Sequence, residues 1–86
     1  MLSKEIMIKN KTGLHARPAS EFVKEAAKFK SDISIEFKEK VINGKSIIHV
    51  LSTGIVAGSM IKLSAEGEDE RQAIDKLSDV IEKFEE

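Results

Sequence analysis

The chain has 86 residues, 41% apolar, 34% charged and 5% aromatic, with 14 basic against 15 acidic residues for a formal net charge of −1. That suffices for one small folded domain with a core of Ile, Val, Leu, Ala and Phe, while the absence of cysteine excludes disulfides, thiolate metal sites and thiol chemistry. The balanced charge argues against general nucleic-acid binding, and no apolar run approaches the roughly 18 residues of a membrane span. Residues 1–5 also lack the apolar stretch of a secretion signal. The expected state is a cytoplasmic monomer without membrane insertion.

Ile6 and Ile8 alternate with Glu5, Met7 and Lys9, the period of a half-buried strand. Asn10-Lys11-Thr12-Gly13 reads as a loop. From Ala19 the apolar spacing switches to Ala19, Phe22, Val23, Ala26 and Phe29, one face of a helix, with Glu21, Lys24, Glu25 and Lys28 on the wet side. Ile33, Ile35 and Phe37 return to strand alternation, and Lys38-Glu39 makes a tight turn into a short strand over 40–42.

The next segment has two readings. Asn43-Gly44 is a hairpin signal that makes 46–51 another strand. Equally, Ser46 caps a short helix that turns Ile47, Val50 and Leu51 inward and ends at Gly54. Beyond it, Ile61, Leu63 and Ala65 form the last strand. Asp69 with Gln72 resembles a capping box opening a helix whose face is Ala73, Ile74, Leu77, Ile81 and Phe84. Glu66, Glu68, Asp69 and Glu70 suit the positive end of that helix. Two amphipathic helices and alternating strands give an α+β, two-layer domain, an antiparallel sheet with one face open and the other under helices.

One stretch carries chemistry: Gly13-Leu14-His15-Ala16-Arg17-Pro18-Ala19. It sets an imidazole at the mouth of the first long helix, which begins at His15 or at Arg17. Pro18 falls in the first turn, where its missing N–H costs nothing. A helix mouth attracts anions through unpaired amides and the positive end of its dipole. Histidine adds a nitrogen nucleophile usable near neutral pH. A histidine that carries a phosphoryl group follows. His49 reads as an exposed helix residue, since nothing like Arg17 accompanies it. Two histidines and scattered carboxylates show no ligand spacing, so neither metal nor cofactor is expected.

With this motif, and with Lys45-Ser46-Ile47 and Gly54, the chain resembles the HPr family, the histidine-containing phosphocarriers of the bacterial phosphoenolpyruvate-dependent sugar phosphotransferase system. The likeness runs over residues 1–86 as a single domain. It implies a four-stranded antiparallel sheet in the order 1-4-2-3 covered on one side by three helices (βαββαβα), with a short helix after Ser46. It implies that Nδ1 of His15 accepts the phosphoryl group of phospho-Enzyme I and passes it to sugar-specific IIA domains. Arg17 and the amides of Ala16 and Arg17 balance the phosphate charge. Ala16, Arg17, Lys24, Ile47, Ile48 and Leu51 map to the family's docking face. The resemblance makes Ser46 a regulatory site for an ATP-dependent HPr kinase/phosphorylase, read out by a catabolite-control transcription regulator. Such a protein is a carrier, not a multiple-turnover enzyme. Ile48, His49 and Thr53 depart from the common family residues, which are methionine, glycine and a larger apolar side chain. The alternative reading is a regulatory binding module, of carbon catabolite control or a nitrogen-type phosphorelay, acting through Ser46 and the same face; the presence of His15 argues against it. An RNA-binding α+β domain would need aromatic residues on the sheet, and the phenylalanines sit at core spacing.

Overall fold

A computed structural model describes residues 1–84. Strand β1 (Leu2–Met7) leads to helix α1 (Ala16–Ala26), β2 (Asp32–Phe37), β3 (Lys40–Asn43), the short helix α2 (Ile47–Leu51), β4 (Met60–Glu66) and α3 (Glu70–Glu82). The sheet runs β1-β4-β2-β3, every neighbouring pair antiparallel. This is the expected open-faced sandwich.

Period-two alternation sends Ile6, Ile33, Ile35, Ile61, Leu63 and Ala65 to the covered face, all buried. Against them α1 sets Ala19, Phe22 and Ala26, and α3 sets Ala73, Ile74, Leu77 and Ile81. Phe22 is fully enclosed and is the largest side chain buried completely in this cluster. Ile8 lies just past β1, yet its amide still donates to Ser59 O and its carbonyl accepts from Gly58 N. Phe29 packs on the core from the turn that follows α1 rather than from the helix itself. Lys38 and Glu39 take φ of 50° and 69°, the left-handed pair of a type I′ hairpin turn, and so join β2 to β3 as expected.

Asn43-Gly44 does not make a second hairpin. The Asn43 side chain accepts from Lys45 N at 2.9 Å, an Asx turn, and Gly44 N donates to Ile33 O, prolonging the sheet. Glycine is needed here because a Cβ would press on the Ile33 side chain at 2.7 Å. Ser46 then caps α2, its Oγ accepting from His49 N at 3.3 Å. Leu51 corrects the sequence reading of an inward face: within α2 only Val50 is buried, and Leu51 is 43% exposed. Ile47 and Leu51 lie one turn apart on the same side, and little more than one turn of helix can aim only one position straight at the core.

The capping box of Asp69 and Gln72 does not form either. The Asp69 carboxylate accepts from Lys30 N, Ser31 N and Ser31 Oγ, fastening the α1–β2 turn to the start of α3. Those donors, the Ser31 hydroxyl foremost, hold its carboxyl down at about 2. The amide of Gly67 is taken instead by Glu70 Oε1 at 3.1 Å, which lowers the Glu70 carboxyl. Among the described residues no helix is long and apolar enough to cross a membrane.

Candidate functional site at the start of the first helix

The segment before α1 is folded onto the loop that follows α2. Asn10 is buried and donates through Nδ2 to Gly13 O at 2.8 Å, and Gly13 N returns a bond to Asn10 O at 3.2 Å. Gly13 has φ +64°, and a Cβ there would collide with the Ile55 carbonyl and lie 2.7 Å from Val56 Cα. Only glycine satisfies both demands. Leu14 is buried and donates its amide to Ile55 O at 3.1 Å. These contacts deliver His15 to the surface in one place.

His15 is the N-cap of α1, with extended backbone (φ −98°, ψ −165°), and its carbonyl accepts the first helical bond from Ala19 N at 2.8 Å. Its exposed imidazole makes no capping bond among the described residues. The helix therefore starts at Ala16, between the two expected positions. The Ala16 and Arg17 amides belong to the first turn, where no preceding helical carbonyl lies within reach. Pro18 is the third helical residue and packs inward. The first turn holds no acidic residue, so no side chain of that turn opposes the positive end of the dipole. Thr12, His15, Ala16, Arg17 and Pro18 line one shallow, open depression of about 180 Å³. A small anion could be met there by a ring nitrogen, a guanidinium and backbone amides at once.

Beside it, α2 packs on α1 and presents Ile48 at 74% exposure, with Ile47 and Leu51 partly exposed. Lys24 is not brought to this cluster. It lies on the α1–α3 groove with Glu21, Glu25, Lys76 and Asp79, two helical turns from Ala16. One residue of the depression and one contact were missed in the sequence. Thr12 shares the depression, and only its place three residues before His15 could have hinted at that. Lys45 donates through Nζ to Phe29 O at 2.7 Å, a contact across 16 residues that no local pattern announces.

The family model described as "PTS HPr component phosphorylation site" matches residues 2–83. The phosphocarrier protein HPr of Buchnera aphidicola subsp. Acyrthosiphon pisum is 47% identical over 85 residues, 99% of this chain and 100% of that protein. The crystal structure of HPr-C-His from Thermoanaerobacter tengcongensis superposes with a TM-score of 0.93 at 54% identity, covering 95% of this chain and 92% of the other. A crystal structure of the Bacillus subtilis catabolite repression protein Crh, a domain-swapped dimer, matches with a TM-score of 0.78 at 40% identity over 96% and 95% of the two chains. By sequence, by fold and by the helix mouth that holds His15, this chain belongs to the HPr family of the phosphotransferase system, phosphocarriers rather than enzymes.

Proposed function

We propose that His15 takes a phosphoryl group from phospho-Enzyme I and passes it to sugar-specific IIA domains. The lone pair of Nδ1 attacks phosphorus as the donor's bond to phosphorus breaks, and the same N–P bond breaks when the group moves on. Such transfer has a loose transition state, so alignment and charge stabilisation supply most of the catalysis. The carrying observation is the N-cap position of His15, exposed above a first turn without acidic residues, with Arg17 lining the same depression. Arg17 and the Ala16 and Arg17 amides balance the charge of the bound group. The open site suits a carrier, because a phosphate held in a deep pocket would not leave. Ala16, Arg17, Ile47, Ile48 and Leu51 form the docking surface; Lys24, in the α1–α3 groove, falls outside it.

Ser46 is the regulatory position in this reading. Phosphorylation by an ATP-dependent HPr kinase/phosphorylase places a dianion beside the apolar α2 face, which weakens Enzyme I docking and creates a mark for a catabolite-control regulator. The 40% identity to Crh favours this second role, and a purely regulatory module is the competing reading. The carrier acts in the cytoplasm as a single domain and as a monomer, although T. tengcongensis HPr and Crh have both been crystallised as dimers.

The test is intact mass after incubation with phosphoenolpyruvate and Enzyme I. One acid-labile phosphoryl adduct is expected, absent from His15→Ala. No adduct, with Enzyme I active on a known acceptor, overturns the carrier reading and leaves the regulatory one.

A further inference from the structure

We infer that Thr53 is a positioning residue for phosphoryl transfer: its hydroxyl ties the end of α2 to the backbone that seats His15. The inference rests on His15 being the acceptor. Thr53 Oγ1 donates to Val50 O at 2.9 Å and accepts from Ile55 N at 3.1 Å, so a single hydroxyl spends its proton on the helix and a lone pair on the following loop. The carbonyl of Ile55 in turn accepts from Leu14 N at 3.1 Å, and Leu14 is joined directly to His15. Gly13 lies flat on this same Ile55 carbonyl. The chain of contacts thus runs from Val50, through Thr53 and Ile55, to Leu14.

The position of Ile55 depends on such bonds. Residues 52–59 form neither helix nor strand, and Gly54 and Gly58 sit at φ +71° and +88°. The pairing with Ile8 reaches only Gly58 and Ser59, so no strand ladder fixes the loop's shape around Ile55. The Ile55 side chain is anchored in the core. Its amide, in the Gly54–Ile55 peptide, is held by the Thr53 hydroxyl. Its carbonyl, in the Ile55–Val56 peptide, is held by Leu14 N, and the Val56 amide of that peptide donates to Ser59 Oγ at 3.2 Å. Thr53 is half-buried, and its methyl could be kept while the hydroxyl is removed. Without the hydroxyl the Ile55 amide loses its acceptor, the Gly54–Ile55 peptide is free to turn, and the backbone at Ile55 that carries the acceptor of Leu14 N is held less firmly. His15 then hangs from a looser hinge. Because a loose transition state gains from alignment, this affects turnover more than binding. The same bridge makes the α2 docking surface and His15 parts of one rigid body, so a partner seated on Ile47 and Ile48 finds the imidazole at a fixed place.

The test compares Thr53→Val, which keeps the shape, with Thr53→Ser, which keeps the hydroxyl. Amide hydrogen exchange is read at Leu14 and Ile55 against Ile35 and Leu63 in the sheet, and phosphoryl transfer from phospho-Enzyme I is resolved into kcat and KM. Thr53→Val is expected to speed exchange at Leu14 and lower kcat, each by about tenfold, with KM and the sheet amides unchanged. Thr53→Ser is expected to restore both. Wild-type values at Leu14 and in kcat for Thr53→Val, or failure of Thr53→Ser to restore them, overturn the inference alone. A global rise in exchange that includes Ile35 and Leu63 also overturns it, since the residue would then serve only stability. A wild-type chain that accepts no phosphoryl group overturns the inference and the proposed function together.

Discussion

Asp69 gathers three donors, Lys30 N, Ser31 N and Ser31 Oγ, on two carboxylate oxygens. An ionised carboxylate is the side chain suited to this, since it has acceptors only. Its carboxyl is held at about 2 against an ordinary 3.8, so folding favours the ionised form. For such a depressed group the stabilisation is complete above the unfolded value and is lost as pH falls toward the folded one. Asp69→Asn would turn an NH₂ against a donor. It should lower the urea midpoint of unfolding at neutral pH, and the gap to wild type should close as pH drops from about 4 to about 2. A gap that stays constant over that range would remove the carboxylate clip from the account of stability. The clip bridges 38 residues of sequence, which is why Asp69 read as a helix cap from its neighbours alone.

Between elements, the decisive contact is backbone on backbone, where the Gly13 loop rests on Ile55 and Val56. Gly13→Ala must place a Cβ into the Ile55 carbonyl and hold a left-handed φ as well. We expect it to cost about 3 kcal/mol by urea denaturation and to shift the His15 resonances more than those of β2. A cost under about 0.5 kcal/mol would mean that the two loops do not touch as described. Elements long enough to repeat their pattern were legible in the sequence. The strands show period two because one face is covered, and α1 and α3 show a continuous apolar side because each lies on the sheet. The short α2 was not legible from periodicity. Five residues make little more than one turn, Asn43-Gly44 mimicked a hairpin, and Leu51 read as inward when it is largely exposed. His15 and Arg17 stood out because a helix start confines them to adjacent positions. Thr12 did not, and Thr53 showed only as a departure from the family's apolar residue, since their roles depend on loops that meet only in the folded chain.

As a whole the molecule has two unlike faces. The open side of the sheet sets Glu5 and Glu36 on either side of Lys62 in register, alternating charges that suit water better than an apolar partner. On the helix layer, α2 offers exposed Ile48 with Ile47 and Leu51, packed against the helix that begins beside His15. A carrier that meets several partners in turn needs a small surface of this kind, apolar at its centre and next to the reactive atom, so that docking and alignment are achieved together. Ile48 contributes little to the core, being 74% exposed, so a charge there should leave folding stability within about 0.5 kcal/mol of wild type. In phosphoryl transfer from phospho-Enzyme I, Ile48→Asp should raise KM roughly tenfold with kcat nearly unchanged, because docking is lost while His15 and its surroundings stay intact. This is the reverse of the kcat loss expected for Thr53→Val, so the two variants separate the surface that binds from the bridge that aligns. An unchanged KM for Ile48→Asp would move the docking surface away from α2, toward the α1–α3 groove that holds Lys24.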